Sequence, residues 1–198
     1  VVLAFVKLST KPADNDHDYG HGKYETIATS IIGMALVVVA VMLGWNGAEK
    51  IIPGILDRIA EYEKSGDEIV YTLDTHFESY MDTQEGKNLP VPHCIKGSEG
   101  HALVAELKEA LSSKKCFEKP TFGSLELGKY IEENASSYTS IELCGLVSNI
   151  CVVSNAIIAK AAAPEAEIIV DSSLTASFDP KLGSEVFDIL GGVQVTVL

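Results

Sequence analysis

Ile141-Glu-Leu-Cys144-Gly-Leu-Val147-Ser-Asn-Ile-Cys151-Val-Val-Ser-Asn-Ala156 is the stretch whose reading decides this chain. The apolar run from Ile141 to Cys144 reads as a buried strand, and Gly145 to Asn149 as a tight connection. Residues 150–163 read as a helix. Cys151 therefore falls at a helix N-terminus. Free N–H groups and the positive end of the helix dipole stabilise a thiolate there. The same N–H groups can hold an oxyanion. That combination suits a cysteine nucleophile. The rival reading is a small apolar residue buried at a strand–helix junction, a common place for a free cysteine.

Outward from this stretch, strands and helices alternate. Pro53 to Ser65 has Ile55, Ile59 and Tyr62 on one face, an amphipathic helix opened by proline. Glu68 to Leu73 reads as a strand and is followed by Asp74-Thr-His76 and a long loop to Gly100. Further helices are expected at 103–113, 125–133 and 180–190. Further strands are expected at 115–119, 167–171 and 193–197. Such alternation implies an α/β fold with a parallel sheet and its site at the carboxyl ends of the strands.

Two groups of residues at those ends carry chemistry. Asp74 and His76 lie two apart at a strand's end, and Glu85 and His93 follow in the adjoining loop. One Asp, one Glu and two His form a donor set suited to Zn²⁺, Mn²⁺ or Fe²⁺. Asp82, Cys94 and His101 are weaker candidates, and the plain alternative is that Asp74 and His76 cap a loop. Lys119 ends a short strand in Phe117-Glu-Lys-Pro-Thr-Phe-Gly-Ser124. A lone lysine is most simply a solvated charge, but near a cysteine it favours the thiolate.

Gly145, Ser148, Cys151 and Val152 resemble the Gly-x-x-Thr/Ser-x-x-Cys-Val turn of the isochorismatase-like cysteine hydrolases, which include the nicotinamidases. The resemblance runs from about Ile52 to Leu198. It implies a three-layer, Rossmann-like fold and a cis peptide at Leu146–Val147. It also implies an oxyanion hole from the N–H groups of Val147 and Cys151, and a catalytic role for Lys119. Nicotinamidases are similar in carrying Asp-x-His plus a Glu or His and a further His, which maps onto Asp74, His76, Glu85 and His93. Isochorismatase-type members usually lack that full set, so ether cleavage of that type ranks second. The implied reaction is hydrolysis of nicotinamide to nicotinate and ammonia, with a divalent metal, Zn²⁺ first, binding the ring nitrogen of the substrate. Homo-oligomers are common in the family and are expected here.

One member of the resemblance is missing. The family's catalytic Asp ends its first strand, and the place before Ile52 holds something else. Val37-Val-Val-Ala-Val41 has the texture of that strand but Ala40 where the carboxylate belongs. The native first strand and its Asp are therefore expected to be absent. That leaves a gap or a surrogate strand in the sheet, a weakened fold and reduced or lost activity, since losing a general base costs about 10² to 10⁴-fold. A non-catalytic remnant is the limiting case.

Composition changes near residue 50. Residues 27–45 are 19 positions without a charged side chain, about 28 Å as a helix and close to a bilayer core. Residues 35–42 also suit a buried strand. Ahead lies a loop with Pro12, Ala13, Asp14, His17, Gly20, His21, Gly22, Lys23 and Glu25. This loop resembles that of the cation diffusion facilitators, which export zinc and related metals. The resemblance covers about residues 1–51 and maps their loop zinc donors onto Asp14, His17 and His21. One uncharged helix cannot form a transport site alone. The chain thus reads as a transporter-like segment, 1–51, with one candidate transmembrane helix, joined to a hydrolase domain, 52–198. A natural fusion, a gene-prediction error and an engineered junction each produce such a chain.

The whole chain carries a net charge of −13, with 11 Lys/Arg against 23 Asp/Glu from Ile51 onward. That surface disfavours nucleic acid as a partner, and the resemblance implies a small carboxamide as the partner. Cys94, Cys116, Cys144 and Cys151 show no CxxC spacing, which suits free thiols and a cytoplasmic location. Membrane association through residues 27–45 is the alternative. No basic start with a small-residue cleavage site is present. Val1 in place of Met fits an N-terminus further upstream.

Overall fold

The computed structural model describes residues 50–198. The candidate span 27–45, the donors Asp14, His17 and His21, and the Ala40 position lie outside the described residues. The described residues belong to one compact unit, Asn46–Leu198. Among them no helix is long and apolar enough to cross a membrane.

A helix, α1, is already under way at Lys50 and continues to residue 65. Pro53 is therefore not its opening residue. Ile51, Ile55 and Ile59 repeat every four positions and are buried together with Leu111 and Leu174. This stripe reaches back past the proline, so burial rather than the proline sets the helix. The helix stops at Gly66, whose φ of 82° is the left-handed conformation that glycine adopts freely. The Gly66 N–H donates to the Tyr62 carbonyl at 3.0 Å.

Strand β1 (Val70–Asp74) pairs in parallel with β2 (Lys115–Lys119), and the register sets Asp74 opposite Lys119. Between them the long loop expected up to Gly100 has structure of its own, and the helix expected at 103–113 is present but shorter. The chain forms a 3₁₀ turn (Glu78–Asp82), a short helix α2 (Gln84–Asn88), a second 3₁₀ turn (Glu99–His101) and helix α3 (Ala105–Ala110). Thr83 explains α2, because its hydroxyl accepts the Gly86 N–H at 3.0 Å as an N-cap.

Helix α4 (Leu125–Asn134) is capped by Ser124, which accepts the Leu127 N–H at 3.1 Å. Strand β3 (Ser140–Leu146) is followed by a wide helical turn (Ser148–Val152) and helix α5 (Val153–Ala162). Strand β4 (Glu167–Ala176), helix α6 (Pro180–Gly192) and strand β5 (Thr196–Val197) complete the order. The expected helix over 150–163 is thus a turn plus a shorter α-helix. The expected strand over 167–171 is twice as long, because β4 continues past a bulge to pair with the end of β3. The core gathers Phe117, Leu127, Ile131, Val152, Ile168, Val170 and Leu190 around Ala156 and Ala159 of α5 and Ala163 at its C-cap.

The fold is α/β with parallel strands, as the alternation implied. The strands form two pieces, β1–β2 and β3–β4–β5. Among the described residues no strand joins β1 to β3, and the segment in which the first strand was sought lies outside them. β1 is half-buried throughout, and Cys144 of β3 is exposed.

Glu68, just ahead of β1, accepts hydrogen bonds from the hydroxyls of Tyr130 and Tyr138, the latter at 2.6 Å. These two bonds, Tyr130 first, hold its carboxyl below the ordinary value of 4.5. A depressed folded-state pKa stabilises the fold above the unfolded carboxyl range, and the effect is lost as pH falls through the folded value. Thermal unfolding should therefore show Glu68→Gln melting below the native chain at pH 7, with the difference closing below about pH 4.

Candidate functional site

The parallel register of β1 and β2 brings Asp74 and Lys119 to adjoining strand ends, where the Thr75 N–H donates to the Lys119 carbonyl at 2.9 Å. Lys119 is 3 % exposed. A buried ammonium needs partners, because it has lost its water. It has three: Asp74 Oδ1 at 3.2 Å, the Thr121 carbonyl at 3.1 Å and Cys151 Sγ at 3.4 Å. Sequence position alone made Lys119 a surface charge, and the fold makes it the link between a carboxylate and a thiol.

Cys151 lies in the first turn after β3. The bend before it uses Gly145, whose φ of 109° excludes a residue with a Cβ, and a cis peptide at Leu146–Val147, where the resemblance placed one. The Val147 carbonyl accepts the Ile150 and Val152 N–H groups, each at 3.1 Å, and not the Cys151 N–H between them. The turn is tied to the end of β4 by Ser148 Oγ and Thr175 Oγ1, 2.9 Å apart and both buried. A further tie runs from the Ser177 hydroxyl to Asn149 Oδ1 at 2.6 Å.

Asn155 was not singled out from the sequence. Its Oδ1 accepts the Ser124 N–H at 2.9 Å, and its Nδ2 donates to the carbonyls of Cys151 at 2.8 Å and Phe122 at 3.2 Å. It thereby clamps the loop after Lys119 to the turn holding Cys151. The signal available was its spacing: four residues past Cys151 on a helix shares a face with it.

The four expected metal donors converge. His76 Nε2 lies 3.6 Å from Asp74 Oδ2 and 3.7 Å from Glu85 Oε1. His93 Nε2 lies 3.8 Å from the same Asp74 oxygen and 3.7 Å from the same Glu85 oxygen. These distances exceed hydrogen bonds, so the donors surround a space rather than satisfy one another. Donor atoms on a tetrahedral zinc lie about 3.3 Å apart, close to this spacing. The ligand atoms of Asp74, His76 and His93 all lie within 4.8 Å of one another. His76 Nε2 is buried without a hydrogen-bond partner, and a divalent cation would satisfy it. The residues present therefore fit such an ion.

Local structure aims these donors. The His76 N–H donates to the Cys94 carbonyl at 2.9 Å, and the Lys96 N–H to the His76 carbonyl at 2.8 Å, which lays the 93–96 segment beside His76. His93 Nδ1 faces the Val91 carbonyl at 2.9 Å, which directs Nε2 into the cluster. Tyr80, buried beneath both imidazoles, has ring centroids 4.7 Å from His76 and 5.0 Å from His93. Its hydroxyl donates to the Leu89 carbonyl at 2.9 Å.

The weaker candidates separate. His101 Nε2 is 2.9 Å from Thr75 Oγ1, and Asp82 is exposed at the end of its turn. Cys94 has its thiol pushed up to about 11, chiefly by burial and then by Asp74, which makes it a poor nucleophile. Among the described residues no carboxylate is hydrogen-bonded to Cys151.

Residues 34–195 match the isochorismatase domain family. That match begins inside the apolar run, ahead of the junction read near Ile52. The fold is similar to that of nicotinamidase PncA from Bacillus subtilis (TM-score 0.65, 23% identity, 76% of this chain and 85% of that one). It is also similar to the pyrazinamidase of Pyrococcus horikoshii solved in complex with zinc (TM-score 0.63, 20% identity, 76% and 86%). A short N-terminal segment matches metal efflux proteins, among them manganese efflux system protein MneP of Bacillus subtilis (strain 168), 50% identical over 42 residues. The chain spans 14% of that protein and no more than 37% of the curated relatives it matches.

Gly86 tests the support of the metal cluster. A Cβ there would lie 2.1 Å from the Tyr80 carbonyl oxygen, so α2 and Glu85 would have to shift away from Tyr80. Gly86→Ala should cost about 1–3 kcal/mol in thermal or urea unfolding. It should weaken the binding of a divalent cation at the cluster by about tenfold or more in a chelator-competition titration.

Proposed function

Because the chain belongs to the isochorismatase domain family, we propose that it is a nicotinamidase-like cysteine amidohydrolase, acting on a small carboxamide and first of all on nicotinamide. The observation that carries this reading is the Cys151 sulfur 3.4 Å from a buried Lys119 ammonium, one carboxylate away from an Asp/His/His/Glu cluster. The thiolate of Cys151 attacks the carboxamide carbon. Lys119 favours that thiolate, and the Val147 and Cys151 N–H groups face the oxyanion that forms. Ammonia leaves with a proton, and water releases the carboxylic acid from the thioester. A divalent cation held by Asp74, His76, Glu85 and His93, Zn²⁺ first, would supply a Lewis acid for the ring nitrogen of the substrate. The zinc in the Pyrococcus horikoshii relative supports that choice of metal.

Proton transfer is the weak step. The thiol proton needs a base and the departing nitrogen an acid, and a family member uses one Asp for both. With Ala40 at the corresponding place, turnover should be low. Isochorismatase-type cleavage remains second, since the four-donor cluster favours a carboxamide with a ring nitrogen. The 42-residue likeness to a manganese efflux protein favours one further reading, a transporter segment with the hydrolase as passenger. The other expectations stand as part of the proposal: a cytoplasmic, homo-oligomeric protein that does not bind nucleic acid.

Ammonia release from nicotinamide, with added Zn²⁺ or Mn²⁺, tests the function. The expected outcome is a rate about 10² to 10⁴-fold below that of an intact triad, abolished in Cys151→Ala. Release that survives Cys151→Ala overturns the proposed nucleophile. Full turnover that depends on Cys151 overturns the claim that a base is missing.

A further inference from the structure

Asp74 presents its two oxygens to two different groups. Oδ1 meets the Lys119 ammonium at 3.2 Å, while Oδ2 faces His76 Nε2 at 3.6 Å and His93 Nε2 at 3.8 Å. On its other side the same ammonium meets Cys151 Sγ at 3.4 Å. A carboxylate, an ammonium and a sulfur thus form one line from the histidine cluster to the thiol. Among the described residues Asp74 is the one acidic side chain bonded to Lys119.

We propose that Asp74 is a positioning residue for Cys151. It holds Lys119 against the sulfur with one oxygen, and through the other it transmits divalent-cation occupancy of the His76–His93 cluster to the thiol. This takes Cys151 as the nucleophile of the hydrolase reading above.

The physics is a competition for one ammonium. Lys119 is shielded from water, so its field is shared between the Asp74 carboxylate and the Cys151 thiolate with little screening. With the cluster empty, the Asp74 charge offsets much of the ammonium and disfavours a second negative charge on sulfur. A cation against Oδ2 offsets that carboxylate instead and leaves the ammonium to the thiolate. Occupancy of the cluster therefore makes Cys151 more reactive before any substrate arrives. If the cation served only to bind substrate, the thiol would not respond to it in the substrate-free protein.

The test is the rate of carbamidomethylation of Cys151 by iodoacetamide, in the whole chain without substrate. Rates are compared after chelation and after adding Zn²⁺, with peptide mass spectrometry separating Cys151 from Cys94, Cys116 and Cys144. Zn²⁺ should raise the native rate by several-fold. His93→Ala should stay at the chelated rate with or without Zn²⁺. Asp74→Asn should also ignore Zn²⁺, but react near the zinc-loaded rate, because its amide still accepts from Lys119 and carries no charge. Asp74→Glu should keep a zinc response.

A native rate unchanged or slowed by Zn²⁺ overturns the proposal, slowing being the sign of direct coordination by the sulfur. Equal rates in Asp74→Asn and His93→Ala overturn it as well. If Asp74→Asn does not fold, the native chain and His93→Ala decide. Alkylation needs no turnover, so the two ideas fail separately. A zinc-responsive thiol without ammonia release supports the coupling and counts against the amidohydrolase. Ammonia release with a zinc-indifferent thiol does the reverse.

Discussion

A buried ammonium organises this site. Lys119 has lost nearly all contact with water, and an unpaired charge in that position costs several kcal/mol. Its acceptors must therefore be held in place, and each comes from a different element: Asp74 from the end of β1, Thr121 from the loop after β2, and Cys151 from the turn after β3. The β1–β2 register, the Asn155 clamp and the Ser148–Thr175 contact each position one of those acceptors. Moving Asp74 would take from the ammonium the one acidic side chain bonded to it among the described residues.

The same constraint places the metal cluster. Asp74 can serve Lys119 with one oxygen because its other oxygen points into the space between two imidazoles. That space exists because the 93–96 segment lies beside His76 and Tyr80 supports both rings from below. The thiol and the cluster are therefore linked through the Lys119–Asp74 pair.

The division of the strands into two pieces bears on function as well as on stability. The carboxyl end of a central strand is where an α/β fold keeps its chemistry. Among the described residues no strand joins β1 to β3, and the side chain bonded to the sulfur is Lys119. What the described residues hold is a cysteine paired with a buried lysine, beside side chains suited to a divalent metal.

Much of this was legible in the residue order. The alternation of apolar runs and amphipathic segments implied a parallel α/β fold. Gly145 and the run after it implied a sharp turn into a helix at Cys151. The Asp-x-His at the end of β1 marked a donor pair, because two residues at a strand's end can both face the following loop. These are local properties, written in spacing and side-chain chemistry. Other features were not legible. The loop after His76 hid two 3₁₀ turns and a helix too short for a periodic signal. Asn155 looked like any polar residue on a helix. Lys119 became an ammonium between a carboxylate and a thiol only when three elements distant in sequence met. Residue order determined which groups could do chemistry, and tertiary structure decided which of them touch. Contact depends on strand register and loop path, and both are set by burial across the whole domain.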